Sequence, residues 1–234
     1  MSISSNRDFY NQLSPEDWKL ILGEDLHYHF GIFSTQTDTF QSALENAVRC
    51  FYGWIPEGAS LLDLGSGWGG PARLLRHEKG CVPLCITSSD SQAKYIKSFH
   101  CQVIQTDLER KLPLQGHWDV ALMLESFEHI KNKDQILRET RSCASRLILR
   151  VNCTSNPDLV NQLAFGSSML LPSQSVLLDV LQESGWRVRY VCNQRLKSYE
   201  SVIYWKKGID ALRYKLKISS GQLPTHLMAL ELLC

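Results

Sequence analysis

The residues best suited to chemistry are Leu61-Leu62-Asp63-Leu64-Gly65-Ser66-Gly67-Trp68-Gly69-Gly70, an apolar run that ends in an acid and enters a glycine-rich turn. Glycine tolerates positive φ and lets a ligand lie against the backbone where a Cβ would obstruct it. The plainer alternative is a tight turn with no ligand. Gly65, Gly67 and Gly70 also fit the spacing GxGxxG of dinucleotide sites, a weak motif on its own. A dinucleotide would want an acid at the end of the next strand for its ribose, and the nearest, Asp90, follows Thr87-Ser88-Ser89 and reads instead as the opening of a helix. Asp63 sets the charge of the site: a carboxylate there repels a pyrophosphate and suits a ligand with cationic groups.

Further candidates follow along the chain. Asp107 comes after a third apolar run and serves either as a ligand contact or as a cap. Glu125-Ser126-Phe127-Glu128-His129-Ile130 follows a fourth run, and on a helical turn Glu125 and His129 would share a face. An imidazole at His129 titrates near neutral pH and could take a proton from a substrate hydroxyl or amine; packing at the pocket is the alternative. His27 and His29 belong either to a covering segment or to a solvated loop, and the aromatic residues Tyr10, Tyr28, Phe30 and Phe33 either to that cover or to core. No HExxH or comparable spacing occurs among the seven histidines, so no metal is expected. The eight cysteines include no CxxC pair, which favours buried reduced thiols, with Cys81 and Cys85 on one face of a strand.

Asp63-Leu64-Gly65-Ser66-Gly67-Trp68-Gly69 resembles motif I of the class I methyltransferases that use S-adenosylmethionine (SAM). Within them the chain is most similar to the branch of tocopherol-type methyltransferases and cyclopropane fatty acid synthases. Ile86-Thr87-Ser88-Ser89-Asp90-Ser91-Gln92 resembles that branch's I-T-x-S-x-x-Q segment, Glu125 to Ile130 its E-S-x-E-H-[MI] segment, and Phe9-Tyr10 with Leu26-His27-Tyr28-His29-Phe30-Gly31 its N-terminal lid. The resemblance runs from about residue 7 to 205. It implies SAM contacts at Asp63, Gly65, Gly67, Gly69, Thr87, Gln92, Asp107, Leu108 and Leu124, with Thr87 and Gln92 at the ribose and Asp107 at the adenine amino group. It also implies catalytic roles for His129 and Glu125, and a lid that brings Tyr10, Tyr28, His29 and Phe33 to the acceptor. The product would be S-adenosylhomocysteine (SAH). One departure is Ser142-Cys143-Ala144-Ser145-Arg146, where the family usually has Pro-Gly-Gly before the fifth strand.

These residues need a scaffold, and the apolar pattern supplies one. Ser14-Pro15-Glu16-Asp17 has the form of a helix start, with Trp18 to Leu22 following. Between Asp38 and Ile55, apolar residues recur at three and four residue spacing, the pattern of an amphipathic helix laid on a sheet. From Ser60 onward strands at Leu61–Leu64, Val82–Ile86, Gln102–Ile104, Trp118–Leu124 and Leu147–Val151 alternate with helices ending near Lys79, opening at Ser91 and spanning Asp134–Cys143. Such alternation implies right-handed crossovers and a parallel sheet covered on both faces. A helix from Gln174 to Ser184 stopped by Gly185, and strands near Val188–Cys192 and Ser201–Trp205, complete the series. The expected fold is α/β: a Rossmann-like, seven-stranded, mainly parallel sheet with an N-terminal helical lid. The expected division is lid 1–55, SAM-binding core 56–206 and helical extension 207–234 within one structural domain.

Composition limits the function classes. The 234 residues carry 25 Lys and Arg against 24 Asp and Glu, a net charge of +1 with no basic stripe, so nucleic acid is not an expected partner. No apolar run reaches the length of a signal peptide core or a membrane span, so a cytoplasmic protein without membrane insertion is expected. The resulting expectation is methyl transfer from SAM to an oxygen, nitrogen or carbon of a small acceptor with apolar surface. Methyl transfer from a sulfonium is an in-line displacement with a good leaving group, so positioning and desolvation can supply much of the acceleration. Rival readings are modification of a lipid chain, which would want an amphipathic membrane-facing surface such as Gly208–Lys217, a SAM-binding protein without catalysis, and an NAD-dependent oxidoreductase, for which no YxxxK pair is present.

Overall fold

The computed structural model describes residues 11, 13–160 and 170–216. The expected lid residues Phe9 and Tyr10, the extension beyond residue 216 and Cys234 lie outside them. Five parallel strands, β1 (Ser60–Leu64), β2 (Val82–Thr87), β3 (Gln102–Gln105), β4 (Trp118–Leu124) and β5 (Ala144–Arg150), form one sheet in the order β3-β2-β1-β4-β5. The order reverses between β1 and β4, which opens a crevice at the carboxyl ends of those two strands.

Strand alternation divides the core into two layers. Leu62, Leu64, Ala121 and Met123 pack with Ile136 and Leu137 of α5 (Lys133–Cys143) and with Leu177 and Leu181 of α7 (Gln174–Glu183). Leu61, Val120, Leu122 and Leu124 face the other way, onto Val48 of α2 (Phe40–Arg49) and Leu75 of α3 (Gly70–Lys79). Side chains two residues apart share a face, so the two sets stay separate. Between α3 and α5 the chain forms α4 (Asp90–Ser98), and after β5 the short α6 (Pro157–Val160). The helix starts follow the sequence. Ser14 and Asp17 form a reciprocal capping box on α1 (Pro15–Leu22), and Ser89 caps α4, so Asp90 does open a helix. At the departure from Pro-Gly-Gly, α5 ends at Cys143 and β5 begins at the next residue, with no glycine turn between them.

Two expected strands are absent. Ser201–Trp205 is the first part of α9 (Ser201–Leu216), which follows the short α8 (Arg195–Ser198). The β-branched and aromatic run Val202-Ile203-Tyr204-Trp205 suggests a strand, but Ser201, Trp205, Gly208, Ile209 and Leu212 are buried at helical spacing. Trp205, Ile209 and Leu212 pack on Trp18, Ile21 and Leu22 of α1, and the helices approach so closely that a Cβ on Gly208 would lie 2.5 Å from Ile21 Cα. Val188–Cys192 has no regular structure; Val188, Tyr190 and Val191 are exposed on both parities, so there is no single face for a sheet to bury. Cys81, Cys85, Cys101 and Cys143 are buried, with Cys81 just ahead of β2, but Cys50, Cys153 and Cys192 are exposed because they sit at a helix end or in irregular segments. Among the described residues no helix is long and apolar enough to cross a membrane.

Candidate functional site

The glycine turn joins β1 to α3 at the crevice. Asp63, 3 % exposed, is the fourth residue of β1, and its Oδ2 has no hydrogen-bond partner among the described residues. Burial pushes its carboxyl up to about 7, against a small opposing effect of Ser66. Ser66 Oγ donates to Asp63 O (2.7 Å) and accepts from Ile86 N (3.0 Å), which ties the turn to β2. Gly65, Gly67 and Gly69 all have positive φ, at 78°, 55° and 75°. Their surroundings differ. A Cβ on Gly65 would lie 2.4 Å from Ser126 Cβ, and one on Gly69 3.0 Å from Ile96 Cγ1, so these two glycines serve packing. Among the described residues a Cβ on Gly67 would meet Tyr28 Cβ alone, at an ordinary contact distance of 3.5 Å, so Gly67 is the least crowded of the three.

That contrast gives a prediction. Gly67→Ala should leave the protein folded, with about 1–2 kcal/mol lost to the left-handed backbone conformation. It should also weaken SAH binding at least about tenfold, the effect of a misfit near 1.4 kcal/mol. Circular dichroism melting and calorimetry on one preparation separate the two effects. Unchanged SAH affinity in the folded variant would exclude the turn as the binding surface.

At the end of β2, Thr87 Oγ1 donates to Gln92 Oε1 at 2.6 Å, and both side chains are buried. Asn11 reaches this corner: its Oδ1 accepts from Ser89 Oγ at 2.8 Å and from Ser91 N at 3.3 Å, so Asn11 caps the start of α4. After β3, Asp107 is exposed and accepts Glu109 N at 3.0 Å in a local turn, while Leu108 is half-buried against Gly65. Leu124, the last residue of β4, is buried.

Beyond β4 the geometry departs from the expected helical face. Glu125 has φ 54°, a conformation that costs a non-glycine residue about 1–2 kcal/mol and recurs at functional sites. The following turn, Phe127–His129, is a 3-10 helix, so Glu125 and His129 are not partners on one α-helical face. Glu125 instead reaches the N-terminal turn and accepts Phe30 N at 3.1 and 3.2 Å. Arg150 Nη1 donates to its Oε1 at 2.6 Å. Burial raises the Glu125 carboxyl to about 7 even so, because Arg150 opposes that effect only in part and Glu128 adds to it. Glu128 is fully buried; its Oε1 accepts Asn152 N (2.7 Å) and Asn152 Nδ2 (2.9 Å), its Oε2 has no partner among the described residues, and burial raises its pKa. His129 is half-buried, its amide bonded to Ser126 O at 3.2 Å.

The lid residues divide. His27 and His29 are both buried, with ring centroids 5.4 Å apart. Burial, with the neighbouring Arg150, pushes the His29 imidazole down to about 3, and burial beside His29 lowers His27 as well, so both are neutral. His29 Nδ1 lies 3.0 Å from Phe30 O, which can only accept; the proton is thus on Nδ1, and the buried Nε2, which has no partner among the described residues, is an acceptor. Tyr28 packs edge-on against Trp18 and Trp205, and Phe33 stacks on Tyr204 at 5.7 Å. Arg150 and Asn152 are members of this cluster that sequence reasoning missed, and Glu128 was singled out without a role. The available signal was an arginine closing the apolar run Leu147-Ile148-Leu149 at the edge where the acids collect.

The arrangement is therefore a glycine turn after a buried acid on β1 whose Oδ2 has no partner among the described residues, and a second polar cluster at the ends of β4 and β5 under the turn at residues 28–33. Among solved structures the fold is similar to the cyclopropane synthase CmaA1 bound to SAH (TM-score 0.80, 17 % identity, covering 95 % of this chain and 90 % of that one). It is also similar to coclaurine N-methyltransferase bound to SAH (TM-score 0.72, 22 % identity, 96 % and 75 %). These likenesses establish a Rossmann-like methyltransferase fold. Residues 36–191, more than half of the chain, match the family described as a methyltransferase domain, and the chain belongs to that family. Curated relatives include a glycine/sarcosine/dimethylglycine N-methyltransferase of Actinopolyspora halophila, 25 % identical over 59 % of this chain and 26 % of the relative. Others are a sarcosine/dimethylglycine N-methyltransferase of Halorhodospira halochloris (24 %, over 63 % and 55 %) and a protein of Pseudomonas putida described as a probable fatty acid methyltransferase (23 %, over 88 % and 58 %). The matches thus span between a quarter and three fifths of those relatives' length.

Proposed function

We propose that this protein binds SAM along the β1–α3 turn and methylates a small organic acceptor, an amine by preference, held beneath the N-terminal turn. The observation that carries the reading is Asp63. Among the described residues its buried Oδ2 lacks a partner, it precedes Gly67, the least crowded glycine of the turn, by four positions, and a cationic amino group is the ligand feature that would satisfy it. Thr87, Gln92, Asp107, Leu108 and Leu124 would contact the nucleoside. SAM supplies an electrophilic methyl group on a sulfonium whose departure needs no protonation.

The protein's own residues would position the acceptor, exclude water and receive the acceptor's proton. Among the described residues Glu128 Oε2 and His29 Nε2 have no hydrogen-bond partner, and a group that donates N–H suits both. The amine preference rests on the acidic Glu128 and on the amino acid N-methyltransferases among the relatives. His129 would take the proton, and Glu125 would hold the turn in place. A lipid chain is the second reading, favoured by the match to the Pseudomonas putida protein over 88 % of this chain. Against it, the apolar face of α9 that could have lain on a membrane is occupied: Ile209 and Leu212 are fully buried against α1.

Calorimetric titration with SAH and with NAD tests the cofactor. SAH should bind and NAD should give no heat of binding; the reverse would overturn the proposal. Labelled SAM incubated with glycine, sarcosine and dimethylglycine, and separately with unsaturated fatty acids, then divides the acceptor classes. Labelling of the fatty acids alone would replace the amine reading with the lipid one.

A further inference from the structure

Residues far apart in the chain form a single cover over the ends of β4 and β5. Phe33 N donates to Lys197 O at 2.8 Å. Gly31 N donates to Ser201 Oγ at 2.8 Å, and that hydroxyl lies 3.3 Å from Gly31 O. Tyr204 stacks on Phe33 and on Phe40 (4.9 Å), and Trp205 receives the edges of Tyr28 and Phe30. Gly31 permits this closeness, since a Cβ there would lie 2.8 Å from the backbone carbon of Ala43.

Arg150 joins both halves of the cover to the sheet. It is the last residue of β5, beside Glu125, whose amide donates to Arg150 O at 2.8 Å. All three guanidinium nitrogens are engaged: Nη1 with Phe30 O (2.5 Å) and Glu125 Oε1 (2.6 Å), Nη2 with Ser198 Oγ (2.9 Å), and Nε with Gln194 Oε1 (3.0 Å). Glu125 completes the ring by accepting Phe30 N. Both side chains of the ion pair are only 10 % exposed, so solvent screens it weakly. A planar fork can reach three segments at once, which a lysine ammonium cannot reproduce in the same geometry.

We propose that Arg150 is a positioning residue that clamps a two-part lid, residues 28–33 and 194–205, so that the N-terminal and C-terminal parts open and close as one. Its relevance to acceptor capture rests on the functional reading above; the mechanical coupling does not. Hydrogen–deuterium exchange of the full chain, with and without SAH, tests it. In Arg150→Lys, exchange at 28–33 and at 194–205 should accelerate together by at least about tenfold, while β1 and β4 keep wild-type rates, because opening is local. Ser198→Ala cuts one link on the C-terminal side only, and it should still speed exchange at 28–33. SAH affinity in both variants should stay within about threefold of wild type, less than one hydrogen bond's worth. Acceleration confined to one part in either variant, or spread equally into β1 and β4, would overturn the clamp. Should the wild type fail to bind SAH, the methyltransferase reading falls while the exchange result still decides the clamp.

Discussion

Asp63→Asn should weaken SAH binding by about 10- to 150-fold, the 1.5–3 kcal/mol range of a hydrogen bond to a charged group, and should remove its pH dependence. The reason is the state of the free protein. With no partner for Oδ2, burial raises the carboxyl from an ordinary 3.8 to about 7, so the free acid is largely protonated below neutral pH. A ligand ammonium stabilises the carboxylate, so binding releases a proton below pH 7. Affinity should therefore rise about tenfold from pH 6 to pH 8 and level off above, one pKa unit being 1.36 kcal/mol. Stability of the ligand-free protein should move the opposite way. Between about pH 4 and 7 the folded state holds a proton at Asp63 that the unfolded chain has lost, so stability falls as pH rises through that window. Asparagine, neutral throughout, removes this part of the slope, leaving the contributions of Glu125 and Glu128, whose pKa values are raised in the same sense. Calorimetry at pH 6, 7 and 8 on both proteins is the measurement. A pH-independent wild-type affinity would mean that the ligand's cation does not meet Asp63.

The parts of this site that sequence revealed are those whose logic is local. Asp63 and the glycines lie within seven residues, and the strand end and left-handed turn that they form follow from their residue types. The capping residues Ser14 and Ser89 act on amides three positions on, as such caps must. The cover over β4 and β5 has the opposite character. Arg150 bonds Phe30 across 120 positions and Ser198 across 48, and no spacing rule connects them. Glu125 was visible as an acid after a strand, but its φ of 54°, which turns the carboxylate toward Phe30, is a tertiary outcome. The two strands expected at the C-terminus failed for a related reason: Val202 to Trp205 has strand-like residue types, yet the burial that decided its conformation depends on α1, nearly two hundred residues earlier.

The division of labour between Glu128 and His129 is open to a paired kinetic test. Glu128 is fully buried, with one oxygen held by Asn152 and the other without a partner among the described residues, which suits a carboxyl that ionises as a cationic acceptor binds. His129 is half-buried on the adjoining 3-10 turn and can exchange a proton with solvent after taking it from substrate. With the amine acceptor that supports turnover, His129→Ala should lower kcat by roughly 100-fold, the usual contribution of a positioned base, and leave acceptor KM and SAH affinity almost unchanged. Glu128→Gln keeps the shape and the bonds to Asn152 while removing the charge, so it should raise acceptor KM by about 10- to 100-fold, the loss from truncating one side of a buried charge pair, with a smaller effect on kcat. Raising the pH should partly rescue His129→Ala, because the acceptor ammonium then loses its proton to solvent, and should not rescue Glu128→Gln, whose side chain does not titrate. A hydroxyl acceptor would keep the histidine effect and lose the glutamate effect, because no ammonium charge is there to bind. An acceptor carboxylate is already ionised near neutral pH, and with it His129→Ala would retain near-normal turnover. A kcat that collapses in Glu128→Gln at constant KM would instead make Glu128 the base and leave His129 without the role assigned to it.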